Sequence, residues 1–190
     1  MKSQLLAIIG KSGSGKTSIK AALEKKGFTS LPECTNRETR PGEVDGREYY
    51  FFPEERMKKP DVICKKEYKT TKGLWIYGIL KTELEADKQY VVIINPYQYQ
   101  ELKKEYEEAA DINVFYIDTN EENRMTKLIQ REMEKPNPDY QELCRRFCTD
   151  AYDYSNDNID MKNLRKNVFL LYNNYKQSIE KMVDELMTYI

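Results

Sequence analysis

"LLAIIGKSGSGKT", residues Leu5 to Thr17, decides how this chain is read. Leu5 to Ile9 form an unbroken apolar run, the signature of a strand covered on both faces. The spacing therefore predicts a strand over residues 4–9. Behind it, from Lys16 to Lys26, the apolar residues Ile19, Ala22 and Leu23 recur at helical intervals, and Gly27 supplies a stop. The unit is strand, glycine loop, helix. Gly10, Gly15, Lys16 and Thr17 fit the spacing G-x-x-x-x-G-K-[ST]. The glycines let backbone N–H groups turn toward one anion, and the helix that follows aims its N-terminus at the same point. Such a loop is expected to hold the phosphates of a nucleoside triphosphate through Gly10, Ser12, Gly13, Ser14, Gly15, Lys16, Thr17 and Ser18. Lys16 would reach the β- and γ-phosphates, and the Thr17 hydroxyl would ligate Mg2+.

Outward from the loop, the pattern continues to alternate. Residues 32–47 are polar and turn-rich. Three aromatic or β-branched runs follow at 48–52, 61–68 and 74–80, which predicts a small, largely β lobe over residues 33–80. Helical text resumes at Lys81–Ala86. Further core strands are expected at 90–95, 112–117 and 167–172. Helices are expected at 97–110, with Leu102, Tyr106 and Ala109 on one face, at 120–134, and from Gln141 to Asp153 after a break at "KPNPDY". A terminal helix carries Tyr175, Ile179, Met182, Val183, Leu186 and Ile190 on one stripe. Apolar strands alternating with amphipathic helices argue for an α/β fold: a parallel sheet flanked by helices, of the P-loop NTPase type. The expected organisation is one domain over residues 1–190. Its core is 1–32 and 81–190, with a helical lid at about 124–146 and the inserted β-rich lobe at 33–80.

The chain has 190 residues, enough for one ordinary core. Charged residues are 33% of it and the formal net charge is -1, which argues against a general nucleic-acid binder. No apolar run approaches the ~20 residues that span a bilayer, and no leader pattern follows Met1-Lys2, so a cytoplasmic location is the default expectation. Histidine is absent, which removes every scheme with a histidine base. Cys34, Cys64, Cys144 and Cys148 have no C-x-x-C spacing, and a zinc site would need all four to converge.

The lobe contains "TNRETRPGEVDGREYYFF", residues 35–52. Arginines three apart near a phenol make a phosphate clamp, because guanidinium groups grip oxygens bidentately and tyrosine adds a neutral donor. This run resembles the guanylate kinase family, whose pattern there is T-T-R-x-x-R-x-G-E-x-x-G-x-x-Y-x-F; only Asn36 departs from it. A later family element, a glutamate followed about nine residues on by Y-G-[ST], resembles Glu67 and Tyr77-Gly78-Ile79. "NVFLLYNN" is similar to the family's last strand and its V-N-D segment.

The resemblance implies an ATP-dependent kinase that moves the γ-phosphoryl group to GMP or dGMP, with Mg2+ as cofactor. Small-molecule nucleotides are the implied partners, with no nucleic acid and no membrane, and a monomer or homodimer. It further implies that Arg37, Arg40, Tyr49 and Tyr77 hold the acceptor phosphate, with Glu67 and Asn95 on the base side. Arg131 and Arg146 would join Lys16 as the catalytic cations, with Arg145 an alternative to Arg146, and Asn173 would lie beside adenine. Departures from the family cluster at the base. Glu33 stands where a serine is usual, Ile79 replaces a hydroxyl residue, Asn95 replaces an aspartate, and the glutamate-to-tyrosine spacing is one residue longer. Ile93 replaces a metal-side aspartate, for which Asp118 is a candidate substitute, a helix-leading cap being its plainer role. Two other readings stay open: a kinase for a different or deoxy nucleoside monophosphate, and a non-catalytic binding domain.

Overall fold

A computed structural model describes residues 2–40, 42–164 and 168–190. Five parallel strands make the central sheet in the order β2-β7-β1-β8-β9. They are β1 (Ser3–Ile9), β2 (Thr29–Ser30), β7 (Gln89–Ile93), β8 (Ala110–Asp118) and β9 (Val168–Tyr172). Asn167, the expected first residue of the last strand, lies outside the described residues.

β1 alternates between two cores. Leu5, Ala7 and Ile9 face one side, with Leu102 and Tyr106 of α3 (Tyr99–Tyr106) and Met161 and Leu164 of α6 (Ile159–Leu164). Leu6 and Ile8 face the other, with Ile19 and Leu23 of α1 (Lys16–Lys25) and Met182, Val183 and Leu186 of α7 (Ile179–Met187). Both sides of β1 are thus fully buried, which is why its sequence shows no alternation. Truncating Leu6 to alanine is expected to cost about 2–5 kcal/mol, seen as an earlier midpoint in urea unfolding; an unchanged midpoint would contradict this packing.

The lobe is a second sheet in the order β4-β3-β6-β5. It comprises β3 (Glu33–Thr35), β4 (Tyr50–Phe51), β5 (Val62–Thr70) and β6 (Gly73–Leu80), with the one-turn helix α2 (Glu54–Met57). The segment expected as a lid, about residues 124–146, falls within two helices, α4 (Glu121–Met133) and α5 (Tyr140–Asp153). Asn120 caps α4 through the Glu122 and Asn123 amides, and Asp139 caps α5 through the Glu142 amide. The lid meets the lobe where Thr71 of the β5–β6 turn donates to Asp139, at 3.2 Å.

Several expected elements change. Residues 81–86 are not helical. Their backbone groups are taken by tertiary partners: Lys81 N–H by the Asp61 carbonyl, Thr82 N–H by the Tyr106 hydroxyl and Glu85 N–H by the Tyr90 hydroxyl. These bonds override a composition that favours helix. The helix expected at 97–110 ends at Tyr106; Ala109 sits in an exposed turn and Ala110 opens β8. Tyr175 leaves the terminal helical stripe and adopts φ 58°, and its hydroxyl donates to the Gly13 carbonyl. The short helix α6 had no sequence expectation.

Candidate active site

The glycine loop joins β1 to α1 at the carboxyl end of the sheet, where ligands bind in open α/β folds. Two glycines there are obligatory. A Cβ on Gly10 would lie 2.6 Å from the Ile117 carbonyl oxygen. Gly15 caps α1 in the left-handed region at φ 99°, with the Asn173 amide 2.8 Å from where a Cβ would stand. The Lys16 ammonium donates to the carbonyls of Gly10, at 2.6 Å, and Lys11, at 3.0 Å. Burial pushes its pKa down to about 8, so an anion beside it would relieve a desolvated charge. Thr17 and Ser18 are exposed at the helix start.

Not every amide of the loop is available. Ser12 N–H donates to Asp150, at 2.6 Å, and Ser14 N–H donates to the Lys11 carbonyl, at 3.2 Å. The backbone amides of those two residues are therefore committed in this arrangement, leaving their hydroxyls and the first-turn amides of α1, which have no helical acceptor, for the anion. Asn173 also supports the loop. It borders the donor-side groove with Gly13, Gly15 and Arg131, but its amide N–H goes to the Ser14 carbonyl, at 2.9 Å, and its oxygen to Tyr175 N–H, at 2.9 Å. It braces the loop, with one N–H and its oxygen each engaged once.

The lobe, the lid and the loop enclose one cavity. Its walls include Lys16 from the loop, Arg37, Arg40, Tyr49 and Tyr77 from the lobe, and Arg145 and Arg146 from the lid. The two lobe arginines are unequal. Arg37 is buried and forked onto Glu43, with both N···O distances 2.7 Å, and its guanidinium lies over the rings of Tyr49, at 5.1 Å, and Phe51, at 5.3 Å. Arg40 makes no side-chain ion pair among the described residues. Burial and the neighbouring Arg37 charge push its pKa down. Arg40 is the freer cation, and Arg37 with Glu43 is its frame, since Glu43 also accepts from Arg40 N–H, at 2.8 Å.

Burial pushes the Glu43 carboxyl up, but the Arg37 fork and the Arg40 N–H outweigh it and leave it below the usual range. A depressed folded pKa stabilises above the unfolded value and is lost as pH falls through the folded one. Glu43→Gln is therefore expected to melt below wild type at neutral pH, with the gap closing under about pH 4. A gap that does not depend on pH in thermal unfolding would contradict this.

On the lid, Arg146 lies 3.7 Å from both Glu132 and Glu142, and Arg145 forks onto Glu142 with both N···O distances 2.7 Å. Both face the cavity, so both alternatives for the lid cation are present. Arg131 is exposed and lines the donor-side groove instead, across the loop.

Two assignments are corrected. Glu67 is exposed and does not line the cavity; Tyr68 does. The cause is a bulge. Ile63 pairs with Ile79 but Lys66 pairs with Tyr77, so β5 carries one extra residue, with Cys64 at φ 52°. One extra residue exchanges the two faces of the strand beyond it. Glu67 thus lies opposite Ile76, on the outer face. Asp118 is not the cap of the following helix: its carboxylate accepts from Thr119 N–H, at 2.9 Å, while Asn120 caps α4.

Sequence reasoning also missed Arg124 and Asp150. Arg124 is fully buried and bonds the Ser12 carbonyl and Asp150, each at 3.1 Å, with its charge 4.2 Å from the Phe147 ring. It ties both lid helices to the loop. No motif marks it; the only hint is an arginine at an inward position of an amphipathic helix.

A phosphate loop, a clamp lobe and a helical lid sharing one cavity define the architecture of a P-loop nucleoside monophosphate kinase. A family model described as guanylate kinase matches residues 2–168. The chain is 32% identical to a guanylate kinase of Thermotoga maritima over 148 residues, covering 71% of this chain and 67% of the relative. It is 29% identical to that of Clostridium tetani, covering 70% and 65%. The matches thus span about two thirds of these relatives' length. A crystal structure of guanylate kinase from Anaplasma phagocytophilum aligns over 99% of this chain and 84% of its own, with TM-score 0.58 and 17% identity, a likeness of fold. This chain belongs to the guanylate kinase family.

Proposed function

We propose that the protein transfers the γ-phosphoryl group of ATP to GMP or dGMP, giving ADP and the nucleoside diphosphate. The observation that carries this reading is the single cavity shared by Lys16 and by Arg40, Tyr49 and Tyr77. Two anion-holding devices that open on one another fit two phosphate compounds and one transfer between them. A protein that bound only a triphosphate would have no use for the second.

Positioning and charge neutralisation would then supply the chemistry. Lys16 and the first-turn amides of α1 hold the donor phosphates. Arg40, framed by Glu43 and Arg37, holds the acceptor phosphate, whose oxygen is already anionic and needs no side-chain base. Arg146 reaches from the lid toward the transferred group, and Arg131 approaches from the donor side. Thr17, exposed beside Lys16, fits an Mg2+ bound mainly by phosphates and water. When bound, that ion would neutralise charge on the β- and γ-phosphates. The lid and lobe together would keep water from the γ-phosphate. With this reading goes a cytoplasmic enzyme, monomer or homodimer, that draws on free nucleotide pools.

ADP production from MgATP, measured with a panel of ribo- and deoxynucleoside monophosphates, tests the proposal. The expected result is turnover with GMP or dGMP and little with other bases. Turnover confined to another base, or ATP binding without turnover on any acceptor, would overturn it.

A further inference from the structure

With Glu67 turned outward, the cavity has no carboxylate from β5. It has one from β3. Glu33 lies opposite Ile79 in the β3–β6 pairing, on the face shared by Thr35 and Tyr77, and lines the cavity. It is 7% exposed. Lys20, from α1 and 9% exposed, donates to its Oε1 at 2.5 Å. A buried carboxylate is costly unless a cation and hydrogen bonds compensate it. Lys20 supplies the cation and occupies one of about four lone-pair sites. Tyr68 and Asn95 share the same wall, and the Asn95 amide donates to the Tyr68 hydroxyl at 2.8 Å.

We infer, building on the kinase reading above, that Glu33 is the residue that selects the acceptor's base, by accepting hydrogen bonds from the N1–H and N2–H edge of guanine. The chemistry favours this base. An ionised carboxylate only accepts, so it matches an edge with adjacent donors. Guanine presents two, N1–H and the 2-amino group. Adenine presents a ring acceptor at N1, and uracil and thymine present a single N–H between two carbonyls. Burial pushes the Glu33 carboxyl up, and the Lys20 ammonium and the Ile93 backbone N–H oppose that shift. Lys20 is a positioning residue: it favours the ionised carboxylate and fixes its rotamer.

The test is calorimetric binding of GMP and of IMP, which lacks the 2-amino group, to wild type and three variants, with ATP binding measured alongside. Glu33→Gln replaces one acceptor by a donor. The double variant Lys20→Met with Glu33→Gln leaves no unpaired buried ammonium, so a fold lost in the single variant does not decide the matter. Glu67→Gln tests the residue on the outer face. Wild type is expected to prefer GMP to IMP by about tenfold or more. That preference should fall toward unity in Glu33→Gln and in the double variant, with ATP affinity unchanged, and persist in Glu67→Gln. A preference kept by the double variant, or lost in Glu67→Gln, overturns the inference, as does a wild type that binds GMP no better than IMP. Because binding is read without turnover, a protein that selects GMP through Glu33 yet makes no ADP would overturn the kinase reading alone.

Discussion

Lys16→Ala is expected to lower kcat by about 10²–10³-fold or more, the loss seen when a preorganised donor to developing charge is removed. The ammonium is held in place before any nucleotide arrives, by the carbonyls of Gly10 and Lys11. Its stem leaves the first residue of α1, so its reach is fixed by the helix. The charge is partly desolvated, and therefore acts at close to full strength on a phosphate. The fold should survive, because the side chain bonds only loop carbonyls. Lys16→Arg is not expected to rescue, since a planar fork cannot replace a compact point charge held between two loop carbonyls. Near-normal kcat in Lys16→Ala, measured at saturating MgATP and GMP, would contradict the assignment.

Arg40→Ala is expected to lower kcat/KM for the acceptor by about 10–150-fold, the range for one hydrogen-bonded charge, with KM for ATP unchanged. Arg40 and Arg37 look equivalent in the sequence, three residues apart in one loop. The structure separates them. Arg37 is spent on Glu43 and two aromatic rings, so its truncation should unfold the lobe's first turn and lower melting temperature together with activity. Arg40 bonds Glu43 through its backbone and leaves its guanidinium to the cavity, so its truncation should spare stability. A loss of kcat/KM in Arg40→Ala that came with a large fall in melting temperature would reverse these roles.

These contrasts mark where the sequence was legible. The glycine loop could be read because its rule is local: backbone conformation, helix start and lysine all fall within eight residues. The clamp could be read for the same reason. The base side could not, because it depends on parity. A single bulged residue at Cys64 moves Glu67 from the cavity to solvent and leaves the inward positions to Lys66 and Tyr68, without altering the apolar pattern of β5. Glu33 stood out only as an odd residue near the base; its role depends on Lys20, thirteen residues earlier and brought beside it by the packing of α1. Residues 81–86 were misread because local propensity lost to bonds with Asp61, Tyr90 and Tyr106, none of which is a near neighbour in the chain except Tyr90. Arg124 and Asp150 answer to no motif, since their partnership exists only once both lid helices are packed against the loop.

The central claim is that one phosphoryl group crosses one cavity, from the loop to the clamp. Following labelled phosphorus from the γ-position of ATP, in the presence of GMP, tests it most directly. The label should appear in the β-phosphate of GDP, with little in inorganic phosphate. Label recovered chiefly as inorganic phosphate, or retained in ATP while both nucleotides bind, would contradict it.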